Sequence, residues 1–324
     1  MNRLRVVFMG SPDFAVPSLQ AVAAEFEVVA VVCQPDKPAG RGKQLTAPAV
    51  KLAALALQLP VLQPASVRTP AFLAELQALA ADIAVVVAYG KILPRGVLEA
   101  FRLGCINVHG SLLPAYRGAA PIQWAVIDGL RETGVTIMQL DEGMDTGAML
   151  ATQTMPIVPG QSAGDLATAM APIGAAALMR TLREVVAGQA VSTAQPGNPS
   201  VARMLRKEDG WIDFTQTAAH VAAQINGVDP WPGAQALLHG ADDAVIAIKL
   251  FGAVVVAGQL DGDGPAPGAI VAISSQGADI VCADGLVRIA DIQVAGRKRM
   301  AFAALAAGRG VVVGQRLSLV QNPS

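Results

Sequence analysis

Ile83-Ala84-Val85-Val86-Val87-Ala88 contains no polar residue and is mostly β-branched. A strand with one face in water alternates apolar and polar residues. This run does not, so it predicts a strand buried on both faces. Leu4–Met9 and Val28–Cys33 read the same way, with a shorter strand over Val61–Gln63. Between them, apolar residues recur at helical spacing after Gly10-Ser11-Pro12-Asp13 to about Ala24, then over Ala49–Leu57 and Ala71–Leu79. Strands alternating with helices, the strands apolar throughout, predict an α/β class with a doubly wound, mostly parallel sheet.

The sheet is expected to continue through Cys105–His109, a helix over Ile122–Ile127 and a strand over Val135–Leu140. Within Gly104–Pro114, which reads GCINVHGSLLP, Asn107 and His109 are two residues apart and so share one side of their strand. Buried polar groups cost a few kcal/mol unless they find partners, so the pair needs a reason. Ligands of open α/β sheets sit at the carboxyl ends of strands, and Gly110 lets the backbone approach one there. Asp145 lies in the loop Leu140–Gly147 after the next strand, and two strands ending side by side would bring Asn107, His109 and Asp145 to one crevice. His220, in a helical pattern, and His239, before Gly240, read as structural or solvated.

Several chemistries are excluded. No G-x-G-x-x-G follows a strand and no P-loop occurs, so neither a nicotinamide nor an ATP site is supported. No His/Cys set has ligand spacing, so no metal is expected. No nucleophile accompanies His109 from another segment. A direct acyl-type transfer with a substrate amine as attacker remains. Asn107 and His109 would supply donors for a developing oxyanion, and one such donor is worth on the order of 10²–10³ in rate. His109 would add roughly 10²–10⁴ as acid or base, and Asp145 would fix the ring and complement an imidazolium.

Beyond an Ala-rich helical segment over Ser162–Val186, which Pro172 is expected to kink or split, Gly188–Ser200 has linker composition. The pattern then changes. Short strands are expected over Trp211–Phe214, Gln235–Leu238, Val245–Val256, Ala269–Ser274, Ile280–Cys282 and Leu286–Val294, with one helix over Thr217–Asn226. They suggest a small OB-like β-barrel. The chain has 324 residues and a net charge of -1, so any nucleic-acid contact must rest on local patches. Cys33, Cys105 and Cys282 lie in separate apolar runs and read as buried thiols of a reducing, cytoplasmic environment. No apolar run is long enough to cross a membrane, and the run after Met1-Asn2-Arg3 stops at Met9, so neither a membrane partner nor an export segment is expected.

Asn107-Val-His109 with Gly110-Ser-Leu-Leu-Pro114, Arg117-Gly-Ala-Ala-Pro-Ile-Gln123, Gly134-Val-Thr-Ile-Met138 and Asp145-Thr-Gly147 closely resemble the formyltetrahydrofolate-dependent formyltransferases. Phe8–Phe14, Gln34–Lys43, Val86–Gly90, Pro230-Trp-Pro232 and Ala295–Met300 resemble the branch that acts on initiator methionyl-tRNA. The pattern departs at Ala115, Tyr116 and Ala148. The resemblance implies that the formyl group of 10-formyltetrahydrofolate passes through a tetrahedral intermediate to the α-amino group of methionine on initiator tRNA. It puts the catalytic roles on Asn107, His109 and Asp145. It puts folate binding on Ser111, Leu112, Leu113 and Pro114 with Val87, Tyr89 and Gly90. It also implies a Rossmann-like catalytic domain at 1–188, a linker at 189–206, an OB-like tRNA-binding domain at 207–317 and a tail at 318–324, in a monomer. Pro and Gly in 35–45 predict a loop without regular structure, on which Lys37, Arg41 and Lys43 would reach the tRNA; Arg297, Lys298 and Arg299 form a second cationic cluster. Another enzyme with the same site is the alternative: a glycinamide ribonucleotide or sugar-nucleotide formyltransferase, or a formylfolate hydrolase.

Overall fold

The structure, a computed structural model, describes residues 3–39, 44–240, 244–257, 264–308 and 310–320. Contacts divide the chain into two compact units, each drawn from separated stretches. Met1–Pro121, Thr133–Met155 and Ala167–Arg203 make the first; Ile122–Glu132, Pro156–Leu166 and Met204–Ser324 make the second.

In chain order the first stretch runs β1 (Arg5–Gly10), a 3-10 turn, α1 (Val16–Glu25), β2 (Glu27–Val32), β3 (Lys37–Ala39), β4 (Gln44–Thr46), α2 (Ala49–Ala56), β5 (Val61–Leu62), α3 (Pro70–Ala78), β6 (Ile83–Val87), α4 (Arg95–Leu98), β7 (Cys105–His109) and β8 (Arg117–Gly118). Then come α5 (Pro121–Ile127), β9 (Glu132–Gln139), β10 (Met149–Pro156), α6 (Ala163–Val186) and β11 (Val201–Ala202). The main sheet has the order β10-β9-β7-β6-β1-β2-β5. Its β5, β2, β1, β6 and β7 are parallel, and β9 is antiparallel to β7. Every residue of β6 is buried, as an apolar run covered on both faces requires.

The strand order reverses between β1 and β6, the place where open α/β sheets leave a crevice. Gly10 ends β1 there, and a Cβ on it would stand 2.8 Å from the Val87 carbonyl oxygen. A side chain at position 10 is therefore excluded where the crevice begins.

Three expectations are corrected in or beside this unit. The 35–45 stretch is not wholly irregular: β3 and β4 pair antiparallel, Lys37 opposite Thr46, and Pro38 is tolerated because a two-stranded ribbon consists only of edges. Pro172 does not split its helix. The 24 residues of α6 form one element, and burial of Met170, Leu178, Met179 and Leu182 outweighs the N–H that proline lacks. The strand after β7 does not end beside it. β9 runs the other way, so Leu140 bonds to Cys105 and not near His109.

The second unit contains α7 (Ala218–Gly227), β12 (Ala234–His239), β13 (Val245–Val256), β14 (Ile270–Ser274), β15 (Gly277–Val281), β16 (Leu286–Val294), β17 (Met300–Ala301), α8 (Phe302–Ala307) and β18 (Arg316–Ser318). The antiparallel order β14-β15-β16-β13-β12-β18 is closed by the bridge Ala269–Arg316 between its two ends, which makes it a small barrel. Ile248, Leu250, Ile280, Val287, Ile289 and Ile292 fill its core. Asn226 anchors α7 to β13, accepting from the Ala253 N–H (3.0 Å) and donating to the Ala253 carbonyl (2.7 Å). Trp211–Phe214 is not a strand. Trp211 makes one bridge, to Gln235, because a 3-10 turn over Lys207–Gly210 runs directly into it.

All three cysteines are buried and unpaired. Burial pushes the Cys33 thiol up to about 11 and those of Cys105 and Cys282 up to about 12, so they stay protonated and inert. His220 is exposed, and His239 Nε2 meets the Ser318 hydroxyl at 2.7 Å. Among the described residues, no helix is long and apolar enough to cross a membrane.

Candidate active site

Val108 turns toward α6, where Gly174 leaves it room: a Cβ at 174 would stand 3.0 Å from Val108 Cγ1. Period two sends Asn107 and His109 to the opposite face. That face continues the row on which Ala84, Val86 and Cys105 pack with Phe72, Leu76 and Val97. Asn107 is 8% exposed and His109 5%. Among the described residues, none hydrogen-bonds the side-chain amide of Asn107, although its atoms are not sealed from outside. An amide so nearly buried and without a protein partner is costly unless something else meets it.

Asp145 reaches His109 because the loop after β9 folds back, with Gln139 N–H bonded to the Ala148 carbonyl at 2.9 Å. Asp145 Oδ2 lies 3.6 Å from His109 Nδ1, too long for a hydrogen bond, and accepts from the Gly118 N–H at 2.8 Å. On the other side of the ring, Nε2 lies 2.9 Å from the Tyr116 carbonyl oxygen. Each ring nitrogen thus faces an acceptor. Ala88 (φ 47°), Tyr116 (φ 59°) and Asp145 (φ 54°) hold left-handed backbone at about 1–3 kcal/mol each, a cost that clusters at functional sites. The register Val87–Val108 places Ala88 beside His109.

The expected folate residues are placed unevenly. Ser111 is fully buried, and its hydroxyl donates to the Ala115 carbonyl at 2.6 Å, which leaves it unsuited as a nucleophile. Leu113 is buried, while Leu112 and Pro114 are half-buried. Val87 is buried, and the ring of Tyr89 lies in the apolar core, where burial pushes its phenol up to about 12. What this strand end presents outward is backbone, at the exposed residues Ala88 and Gly90. Gln34 steadies it by donating from Nε2 to the Tyr89 carbonyl at 3.0 Å.

Of the expected cationic contacts, Lys37 is exposed on β3, and Arg41 and Lys43 lie outside the described residues. In the second unit, Arg297 and Lys298 are exposed in the turn after β16. Arg299 is engaged within its own unit: it bonds Asp291 at 2.8 Å, lies 3.5 Å from Asp229 and stacks 4.3 Å above the Phe251 ring. Among the described residues, no group of three His, Cys, Asp or Glu could hold a metal ion.

Three residues escaped the sequence reading. Thr136 Oγ1 donates to the Ser111 carbonyl (2.7 Å) and accepts from the Leu113 N–H (3.1 Å), pinning the turn after β7. Ser200 Oγ accepts from the Tyr116 N–H at 2.8 Å. Gln195 donates from Nε2 to the carbonyls of Asp145 and Gly147, both at 2.8 Å, while its Oε1 accepts from Arg117 Nε (3.0 Å) and Nη2 (2.6 Å). Ser200 and Gln195 fall in the stretch with linker composition, where no periodicity marks a residue as buried or paired. Thr136 sits in an apolar strand, Gly134-Val-Thr-Ile-Met138, where one buried hydroxyl was the available signal.

Chemically, the crevice offers an unspent amide donor, an imidazole bonded at Nε2, and a carboxylate facing its Nδ1. Such a set polarises a carbonyl and moves a proton without a protein nucleophile.

Residues 4–182 match the family described as formyl transferase, and residues 204–310 match the formyl transferase C-terminal domain. A methionyl-tRNA formyltransferase of Sorangium cellulosum is 45% identical over 315 residues, covering 97% of this chain and 99% of the relative. One from Desulfotalea psychrophila is 46% identical over 307 residues, covering 94% and 93%. Among solved structures, HypX from Aquifex aeolicus in complex with tetrahydrofolic acid superposes with a TM-score of 0.62 at 18% identity, over 94% of this chain and 47% of HypX. The sugar 3N-formyl transferase WlaRD, in the presence of dTDP and 5-N-formyl-THF, gives a TM-score of 0.65 at 16% identity, over 92% and 100%. These two likenesses concern the fold.

Proposed function

The chain belongs to the formyl transferase family, and from that premise we propose that it moves the formyl group of 10-formyltetrahydrofolate to the α-amino group of methionine on initiator methionyl-tRNA. One observation supports the site above all others: the Asn107 amide, nearly buried and unspent, beside a histidine that is itself bracketed by acceptors.

When bound, the folate co-substrate supplies an activated formyl carbon. The residues present fit it. Outward backbone at Ala88 and Gly90 can meet a polar ring edge, Leu112 and Pro114 offer apolar contact, and the Asn107 amide awaits an oxygen. Asn107 Nδ2–H donates to the formyl oxygen as charge develops there, a contribution on the order of 10²–10³ in rate. His109 carries the proton at Nε2: the attacking amine gives one up as its bond to carbon forms, and the departing nitrogen takes one as its bond breaks. To do so, Nε2 must exchange the Tyr116 carbonyl for substrate. Asp145 stays at Nδ1, orienting the ring and balancing its charge.

For the acceptor, the cations of 37–43 and the exposed Arg297 and Lys298 supply phosphate contacts, which give most of the affinity for RNA. The barrel-bearing domain, expected over 207–317, carries the latter pair. The test is transfer of labelled formyl from 10-formyltetrahydrofolate with three acceptors in parallel: charged initiator methionyl-tRNA, glycinamide ribonucleotide and an amino-sugar nucleotide. Label on the tRNA alone is expected. Label on a small acceptor and none on the tRNA overturns the reading.

A further inference from the structure

The Asp145 carboxylate is presented to His109 by a backbone that does not hold itself in place. Asp145 has a left-handed φ of 54°, and Gly147, two residues on, is pressed against the Gln139 carbonyl, where no Cβ would fit. A residue without a glycine's freedom relaxes out of that region unless its surroundings over-determine it.

Gln195 supplies that constraint. Its amide spends both donors on the carbonyls that flank the turn, those of Asp145 and Gly147, and its oxygen takes two bonds from Arg117. The orientation of the amide is unambiguous, because Arg117 can only donate and the carbonyls can only accept. Arg117 is paired with Val201 across the β8–β11 ribbon, and next to it Gly118 gives its N–H to the Asp145 carboxylate. One side chain therefore joins the turn that carries the carboxylate to the ribbon that binds the same carboxylate.

We propose that Gln195 is a positioning residue for the transfer reaction: it fixes the Asp145 turn so that the carboxylate faces His109 Nδ1, without touching substrate. The inference rests on the catalytic reading of His109 and Asp145 given above. It adds a residue from a segment of linker composition to the working parts of the site.

Two variants separate the roles of the amide. Gln195→Met keeps the length and removes every hydrogen bond. Gln195→Glu keeps the acceptor for Arg117 and removes the donors to the turn. Both are expected to lower kcat by about 10²-fold, the scale of a misplaced catalytic group, with KM for formylfolate and for methionyl-tRNA unchanged. The second readout needs no activity. The chain has three histidines, so ¹⁵N signals of their rings are few enough to assign. In both variants the His109 signals should shift while those of His220 and His239 stay. A wild-type kcat in Gln195→Met, or unmoved His109 signals, overturns the assignment. A wild-type rate in Gln195→Glu limits the side chain to anchoring Arg117 and also overturns it. Loss of folding in both variants makes Gln195 purely structural and does the same. If the wild-type protein fails to formylate methionyl-tRNA, the proposed function falls, and the ring signals still decide the positioning role.

Discussion

His109→Ala is expected to lower kcat by roughly 10²- to 10⁴-fold, the usual worth of a positioned acid or base, with the fold intact. The fold should survive because the ring contributes one hydrogen bond, to the Tyr116 carbonyl, and its contact with Asp145 at 3.6 Å is too long to be a second. Steady-state kinetics together with a thermal melt checks this. KM for the folate co-substrate should change little, since the ring's task lies in proton movement. A variant with nearly normal kcat removes His109 from the chemistry, and with it the assignment of a proton carrier.

Asp145→Asn has the other large expected effect. Asparagine keeps an oxygen to accept from the Gly118 N–H, so the turn should hold, but the charge facing His109 Nδ1 is gone. Loss of a carboxylate that orients and balances a catalytic imidazole can cost on the order of 10⁴ in kcat. Asp145→Ala removes the Gly118 bond as well. If Asn behaves like wild type while Ala is inactive, the side chain serves only to shape the turn. If both are inactive at unchanged melting temperature, the charge is what matters.

The sequence was most informative where burial left no choice. β6 is apolar throughout, and β1 and β2 are apolar beyond their first residues, Arg5 and Glu27, and these short β-branched runs alternating with helical patterns read as strands inside a covered sheet. Asn107 and His109 stood out for the same reason, as polar residues where the pattern demands apolar ones. β10 went unread because Thr152-Gln153-Thr154 interrupt its apolar residues and none of Met149–Pro156 is buried, so neither alternation nor a continuous apolar run develops on this edge. The direction of β9 was not legible either. Apolar periodicity fixes which face a residue takes and carries nothing about which way a strand runs. That is why Asp145 was expected to arrive from a neighbouring strand end, whereas it comes from a loop folding back. Gln195 shows the limit most plainly. Its four hydrogen bonds all go to residues at least 48 positions away, so nothing local in Ala194-Gln195-Pro196 records them.

The claim on which the rest depends is that the unspent Asn107 amide is the place where the formyl oxygen sits. A crystal structure of the protein with a formyl-bearing folate bound measures this directly. The predicted result is a formyl oxygen within about 3.2 Å of Asn107 Nδ2, with His109 Nε2 released from the Tyr116 carbonyl and turned to the substrate. A bound folate whose formyl group lies elsewhere, with the Asn107 amide still unpartnered, would contradict the account.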